Sequence, residues 1–319
     1  MKPLIRDLTL TLTGGYLLTF YSEFLFYGQL NEPGTPPPTV FDLLLLWAVY
    51  ALMAYILMAL IRCYRVASVP ALLVVGAAYG WMLEGGIVAT VYEELPWSLS
   101  FTALAWHMPI DVLFGWYLVP KWLRERDFAF NLRASALTGL LWGFWAVWPA
   151  QVTPLRPAWF TGFAFVSVGL LLAAYWLMDR LGLSTFQPRR VGMMLAGVLF
   201  LGWYLLNTAF AVPRSLLILP ALLALCGWAL RRNARIETTP DLLEQFGAPA
   251  RPLASPPFTV RPVNLLAWLA FPALAAGEYA FWATIGWQVP SNIVGYLVTV
   301  PLGFGLFAWA LWKIGRASF

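Results

Sequence analysis

Apolar residues run along this chain in long stretches broken by short polar clusters, and the rhythm repeats from one end to the other. A helix that crosses a bilayer needs about 20 largely apolar residues. Ten stretches meet that requirement, at roughly 7–28, 41–61, 67–91, 98–119, 134–152, 158–178, 191–211, 215–230, 263–286 and 292–312. The eighth is the shortest. The pattern predicts an all-α, polytopic integral membrane protein of about ten transmembrane helices, with residues 1–319 as a single transmembrane domain. Lys2 and Arg6 precede the first stretch, which contains Glu23 and ends in Tyr27 and Gly28. It reads as a retained first helix rather than a cleaved signal.

Composition excludes the soluble alternative. Hydrophobic residues make up 61% of the chain and charged residues 11%, against about 45–50% and about 25% in soluble domains. A soluble protein this apolar could not cover its core with polar surface. The formal charge of +5 does not point to nucleic acid, because the positive residues sit in short loops between apolar stretches. The partner it implies is the lipid bilayer, with another membrane protein or a second copy of the chain also open. Cys63 and Cys226 lack metal-ligand spacing and are expected as free thiols.

The same loop charges give an orientation. With a cytoplasmic N-terminus, the even-numbered loops and both termini hold all of the 20 lysines and arginines except Arg156 and Arg214. Positive loop residues face the cytoplasm, so both termini are expected there, in a bacterial-type cytoplasmic membrane. Two loops differ from the rest. Residues 29–40, with Pro33, Gly34 and Pro36 to Pro38, form a stiff outer loop. Residues 231–262 form the long cytoplasmic loop, in which Thr239-Pro240-Asp241 reads as the start of a short helix within a solvated linker.

The tryptophans Trp97, Trp122, Trp159, Trp287 and Trp312 lie near helix ends and read as interfacial anchors. Trp142, Trp145 and Trp148 form a stripe in the fifth stretch that reads as a packing or lipid-facing ridge rather than a pigment platform.

Candidate chemistry lies with ionisable residues inside the stretches. A charge near the bilayer centre costs at least a few kcal/mol, so it usually faces a cavity and has a partner. The candidates are Glu84, His107, Asp111 and Glu278, with Glu23 as a possible addition. At about 1.5 Å per residue, Glu84 lies roughly 10 Å below the outer boundary, Glu278 about 12 Å, His107 about 13 Å, Asp111 about 20 Å and Glu23 about 7 Å. His107 and Asp111 are four residues apart and share a helix face. Pro109 between them removes the backbone hydrogen bond to the Ala105 carbonyl. Gly80, Gly85 and Gly86 around Glu84 let a neighbouring backbone approach. Only Tyr92 to Trp97 join the third and fourth stretches, so Glu84 and the His107–Asp111 face are expected to line one cavity. Glu93 and Glu94 read as solvated surface charge.

No Lys or Arg lies deep in a predicted span. The buried acids must therefore be protonated, paired with His107, or neutralised by a bound cation. A single histidine argues against multi-histidine metal sites and paired haem ligation, so no metal is assigned and the cofactor is unknown. No protease, hydrolase or phosphate-loop motif is present.

Ten helices in about 300 residues, with both termini inside, resembles in length and topology the drug/metabolite transporters built from two inverted five-helix halves. That layout would put His107/Asp111 and Glu278 on equivalent helices, although the third stretch carries Glu84 and the eighth no acid. The leading expectation is a proton- or cation-linked transporter of unknown substrate. The alternatives are an intramembrane enzyme acting on a lipid or isoprenoid-like substrate, with the same residues as general acid and base, and a non-catalytic subunit of a larger membrane complex.

Overall fold

A computed structural model describes residues 3–26, 38–148, 156–246, 259–286 and 290–316. Tyr27, Gly28, most of the 29–40 loop, Trp287, Lys2 and Arg251 lie outside the described residues. The described segments are helical: α1 Pro3–Thr19, α2 Val40–Cys63, α3 Val69–Met82, α4 Val119–Glu125, α5 Phe128–Trp145, α6 Pro157–Leu181, α7 Arg190–Trp203, α8 Ser215–Ile236, α9 Leu242–Gln245, α10 Pro262–Ala267, α11 Ala270–Ile285 and α12 Ser291–Arg316. Local chemistry sets several starts. Thr39 and Asp42 form a reciprocal capping box on α2, and the Asp127 carboxylate accepts from the Phe130 N–H at 2.7 Å to open α5. Proline occupies the first turn of α3, α6 and α10, where its missing N–H costs nothing.

Four segments are wound as π-helix among the described residues: Phe20–Phe24 after α1, Leu83–Ile87 after α3, Ala103–Leu118 before α4, and Tyr204–Ala209 after α7. Their backbone bonds reach five residues, as from Leu25 N–H to the Phe20 carbonyl at 2.7 Å and from His107 N–H to the Thr102 carbonyl at 2.9 Å. This winding corrects one expectation. In a π-wound segment Pro109 frees the carbonyl of Leu104, not that of Ala105.

Among the described residues, seven helices are long and apolar enough to cross a membrane: 40–63, 69–87, 157–181, 190–209, 215–236, 262–285 and 291–316. The chain is an integral membrane protein. Large apolar side chains face outward along these helices, with Leu217 78%, Leu206 76% and Leu297 73% exposed; they form the surface that meets lipid.

The packing has a centre. The segment from α3 through Ile87 has 83% of its most apolar stretch buried, while the corresponding figure is 17% for both 190–209 and α12. α3 packs on the 103–118 helix, α8 and α12; α1 packs on α2, and α5 on α11. Close approach depends on glycine: a Cβ on Gly15 of α1 would lie 2.6 Å from the Ala51 Cα of α2. Trp142 is buried among Phe20, Phe160 and Phe271, and Trp145 Nε1 donates to the Phe26 carbonyl at 2.6 Å, so these two tryptophans pack inward.

Polar contacts gather one set of chain segments at one end of the bundle, called here the arginine-rich end. Arg6 donates to the Thr185 carbonyl at 3.0 Å, Arg62 to Asp241 at 2.8 Å, Arg124 to Asp179 at 2.7 Å, and Arg232 to the Gly315 carbonyl at 2.9 Å. The described part of the 231–262 loop departs from a solvated linker. Asp241 caps α9, Leu242 and Leu243 are buried, and the Leu242 N–H donates to the Val66 carbonyl at 2.8 Å. The acids that mark a helix start also face Arg62, and that pairing docks the segment on its own chain.

Candidate functional site

Three of the four π-wound segments carry four of the five ionisable candidates: Glu23 in 20–24, Glu84 in 83–87, and His107 with Asp111 in 103–118. π-winding widens a helix, costs hydrogen-bond quality, and recurs at functional positions. The 103–118 helix starts at Thr102, whose φ of 59° is a backbone conformation that β-branched residues seldom adopt. There its carbonyl accepts from both Trp106 N–H at 2.8 Å and His107 N–H at 2.9 Å, which fixes the start of the helix that bears the histidine. Gly80, one turn before Glu84, abuts the Ala103 carbonyl and leaves no room for a Cβ. Removing that side chain brings the Glu84 and His107 backbones within reach of each other.

The geometry centres on His107. Its Nε2 lies 2.6 Å from Glu84 Oε1, and its Nδ1 lies 2.7 Å from Asp111 Oδ2. Ser22 Oγ is 3.0 Å from the same Nδ1. Tyr50 OH lies 2.7 Å from Ser22 Oγ and donates to Glu23 Oε1 at 2.6 Å. Tyr79 donates to Asp111 Oδ2 at 3.3 Å and stands edge-on to the His107 ring. Thr90 Oγ1 donates to the second Glu84 oxygen. A hydrogen-bonded chain therefore runs from Glu23 through Tyr50, Ser22 and His107 to Glu84 and Thr90, with Asp111 as a branch.

Charge follows from the donors available. An imidazolium has two N–H donors, and each finds a carboxylate oxygen here; a neutral ring would turn one lone pair toward a carboxylate unless that group held the proton. One positive ring against two carboxylates leaves the triad one proton short of neutrality. Exposure grades across it, with side-chain values of 12% for Glu84, 5% for His107 and 0% for Asp111. Asp111 Oδ1 is buried and accepts no hydrogen bond from a described group. Such an oxygen is costly to leave unpaired and is open to a proton or a donor.

The sequence candidates thus divide. Glu84, His107 and Asp111 are in direct contact, and Glu23 joins them through Tyr50 and Ser22. Glu278 is set apart: it accepts from Trp282 Nε1 at 2.9 Å and lies against Gly143, on a helix packed on α5 and α6. Glu93 and Glu94 are exposed. Ser22, Tyr50, Tyr79 and Thr90 are the residues that sequence reasoning missed. The Tyr21-Ser22-Glu23 run beside an apolar stretch was the available signal for Ser22; nothing in the sequence pairs Tyr50 with it.

No group of three or more His, Cys, Asp or Glu is disposed to hold a metal ion among the described residues. In the triad the two carboxylates occupy opposite nitrogens of one ring, so they cannot converge on one cation while His107 stands between them. Cys63 and Cys226 are free.

A separate cavity of about 860 Å³ runs between the 103–118 helix, α5 and α12, lined by Trp106, Ile110, Phe114, Leu141, Trp145 and Val294 among others. It is almost wholly apolar, and none of Glu23, Glu84, His107 and Asp111 lines it. Family models, characterised proteins and solved structures give no match to this chain.

Proposed function

We propose that the protein is a proton-linked transporter in which Glu84, His107 and Asp111 take up and release the coupling proton. The observation that supports this reading is the contact of both ring nitrogens of His107 with carboxylates, at 2.6 and 2.7 Å. A ring held this way can accept a proton on one nitrogen and release one from the other. Ser22, Tyr50 and Glu23 extend the path. Both ends of that path lie near helix ends remote from the arginine-rich end, so the relay runs within one layer of the membrane and does not cross it. Moving a proton across requires the site to change its access. A cation or a cationic substrate that met Glu84 or Asp111 would displace the imidazolium charge, so that binding and deprotonation are linked by one charge balance.

The same reading takes the protein as one ten-span domain. Segments 3–24, 103–125 and 128–145 are helical and pack beside the seven apolar helices, and the alternation of ten spans explains why residues near 6, 62, 124, 180, 232 and 315 meet at one end. We place that end, with both termini and the 231–262 loop, on the cytoplasmic side of a bacterial-type membrane. The exposed Cys63 offers a check. In a Cys226→Ser background, a membrane-impermeant maleimide applied to intact cells should leave Cys63 unlabelled, and a permeant one should label it. Labelling by the impermeant reagent would invert the orientation.

A second reading is favoured by the apolar cavity beside Trp106. An enzyme acting on a lipid or isoprenoid chain would hold the chain there and use His107 with Glu84 or Asp111 as general acid and base. Trp106 walls the cavity and donates to the Tyr21 carbonyl at 2.9 Å, next to Ser22 in the chain, so a substrate would reach the triad only past this side chain.

Proteoliposomes with a trapped pH dye separate the readings. Small solutes are screened for those that dissipate an imposed pH gradient with wild-type protein and fail with Asp111→Asn. A solute that moves protons equally well with Asp111→Asn would sink the transporter site as assigned. Absence of solute-linked proton flux together with conversion of an added lipid would establish the enzyme reading.

A further inference from the structure

A cavity of about 660 Å³ lies at the arginine-rich end, between the last turns of α8 and Tyr64 beyond the end of α2. Its lining changes character along α8. Leu223, Ala224 and Gly227 form an apolar part, Trp228 follows, and Arg231, Arg232 and Arg235 close the far end. Positions 224, 228, 231 and 235 fall on one helix face, so tail-facing and charge-bearing residues lie on a single line.

Arginines at a helix end need no ligand in themselves. Here three further features set them apart. They line a concave surface. The ion pairs of this end bypass two of them: Arg62 holds Asp241 and Glu244, Arg124 holds Asp179, and no ion pair among the described residues engages Arg231 or Arg235. The nearest acid in sequence, Glu237, accepts from the Thr239 N–H at 3.0 Å and from its hydroxyl, within its own loop. The walls are also fixed. Asn233 is buried beneath the arginines, with its amide directed at the Tyr64 and Arg65 carbonyls, and Arg232 is tied to the Gly315 carbonyl and lies over the Trp228 ring.

We propose that this cavity binds an anionic phospholipid of the surrounding bilayer. Its acyl chain lies along Leu223, Ala224 and Gly227, and its phosphate sits between Arg231 and Arg235. Two guanidinium groups one turn apart suit a phosphate, which each can meet with paired N–H donors. Trp228 and Tyr64 supply the amphipathic rings that favour headgroup depth. Apolar lining that leads into unpaired positive charge matches a lipid along its length, whereas a soluble anion would use only the arginine end. The inference rests on membrane embedding and is independent of the proton site.

The test uses the full chain in detergent, with phosphatidylglycerol, phosphatidylcholine and inorganic phosphate as probes and native mass spectrometry as the readout. Wild type should retain one phosphatidylglycerol with at least about tenfold preference over phosphatidylcholine. Arg231→Gln and Arg235→Gln should each weaken phosphatidylglycerol by about fivefold, and the double variant by about 25-fold, with phosphatidylcholine unchanged. Arg231→Lys/Arg235→Lys keeps the charge and should lose less; it also serves if the double Gln variant does not fold. Equal retention of the two lipids by wild type, or a preference that survives the double Gln variant, would overturn the proposal. Displacement of phosphatidylglycerol by inorganic phosphate would assign the site to soluble phosphate and overturn the lipid occupant.

Discussion

Buried ion pairs occur at both ends of this molecule, and they are built differently. At the arginine-rich end the cations are guanidinium groups. Arg62 donates to Asp241, Glu244 and the Phe186 and Ser184 carbonyls, and Arg124 donates to Asp179 and the Phe246 carbonyl while lying over the Phe246 ring at 4.8 Å. Asp179 Oδ2 also accepts from the Val260 N–H at 3.0 Å. These groups cannot lose their charge at ordinary pH, and their donors are matched to acceptors. Such pairs hold segments together. At the opposite end the only cation of the triad is an imidazole. It can change charge, it faces two carboxylates, and Asp111 Oδ1 is left open. The contrast teaches that burial and ion pairing alone do not mark a working site. A titratable cation held between two carboxylates does.

The largest effect is expected where the fixed pair is broken. Arg124→Ala or Asp179→Ala leaves a buried charge unpaired and should cost about 3–5 kcal/mol of stability. Unfolding in mixed micelles by a denaturing detergent measures it, and activity per folded molecule should stay at the wild-type level. Replacing both residues by Met and Leu should restore much of the loss, because a well-packed apolar pair removes the desolvation cost. A normal midpoint for the single variants would mean that this pair is solvated and the contrast with the triad is wrong.

The triad should respond in the opposite sense. Asp111→Asn keeps the shape and still accepts from His107 Nδ1–H but cannot take up the proton. It should lower activity by about 100-fold or more with little change in the unfolding midpoint. His107→Ala should be as damaging, and the double variant little worse than either, as for groups that act as a unit. Full activity in Asp111→Asn would make the pair structural and shift weight to a non-catalytic subunit of a membrane complex.

What the sequence made legible follows the range of each interaction. The apolar stretches, the shared face of His107 and Asp111, and the nearness of Glu84 across a short connection are local, and periodicity with loop length was enough to read them. The π-winding of 20–24, 83–87 and 103–118 leaves no imprint on hydrophobic periodicity, so the freed carbonyl was assigned to Ala105 instead of Leu104. The docking of Asp241 and Glu244 on Arg62 joins residues about 180 positions apart, and composition alone makes that segment look solvated. Ser22, Tyr50 and Tyr79 were missed because hydroxyl side chains cost little in a membrane helix and do not stand out as charges do.

Tyr50 sharpens the comparison on a smaller scale. Its hydroxyl bridges Ser22 and Glu23 and so joins Glu23 to the triad. Tyr50→Phe should reduce activity by about three- to tenfold, the size of one hydrogen bond of about 1 kcal/mol, without altering the unfolding midpoint. Glu23→Gln should then add little to Tyr50→Phe. A large additional loss would give Glu23 a role that does not pass through Tyr50.

The smallest effect is expected at Glu278, and it decides how many residues the site contains. By depth along the membrane Glu278 matches Glu84 and His107, and in a layout of two inverted halves it would stand on the counterpart of the histidine helix. Depth, however, carries no lateral information. Its helix packs on α5 and α6, its carboxylate accepts from Trp282 one turn along, and the glycine it lies against belongs to α5. The segments that such a layout would pair also differ in their packing: 83% of the apolar stretch of 69–87 is buried, against 28% in α8. Glu278→Gln preserves the acceptor for Trp282 Nε1 and removes only the charge. Activity should remain within about twofold of wild type, as for surface changes that disturb no buried partner. The measurement is the same flux or conversion assay used for Asp111→Asn, on protein of matched insertion. A loss comparable to that of Asp111→Asn would restore a four-residue site and require α11 to approach the triad in a second state of the proposed transport cycle; near-normal activity would confine the proton chemistry to the segments that carry Glu23, Tyr50, Glu84, His107 and Asp111.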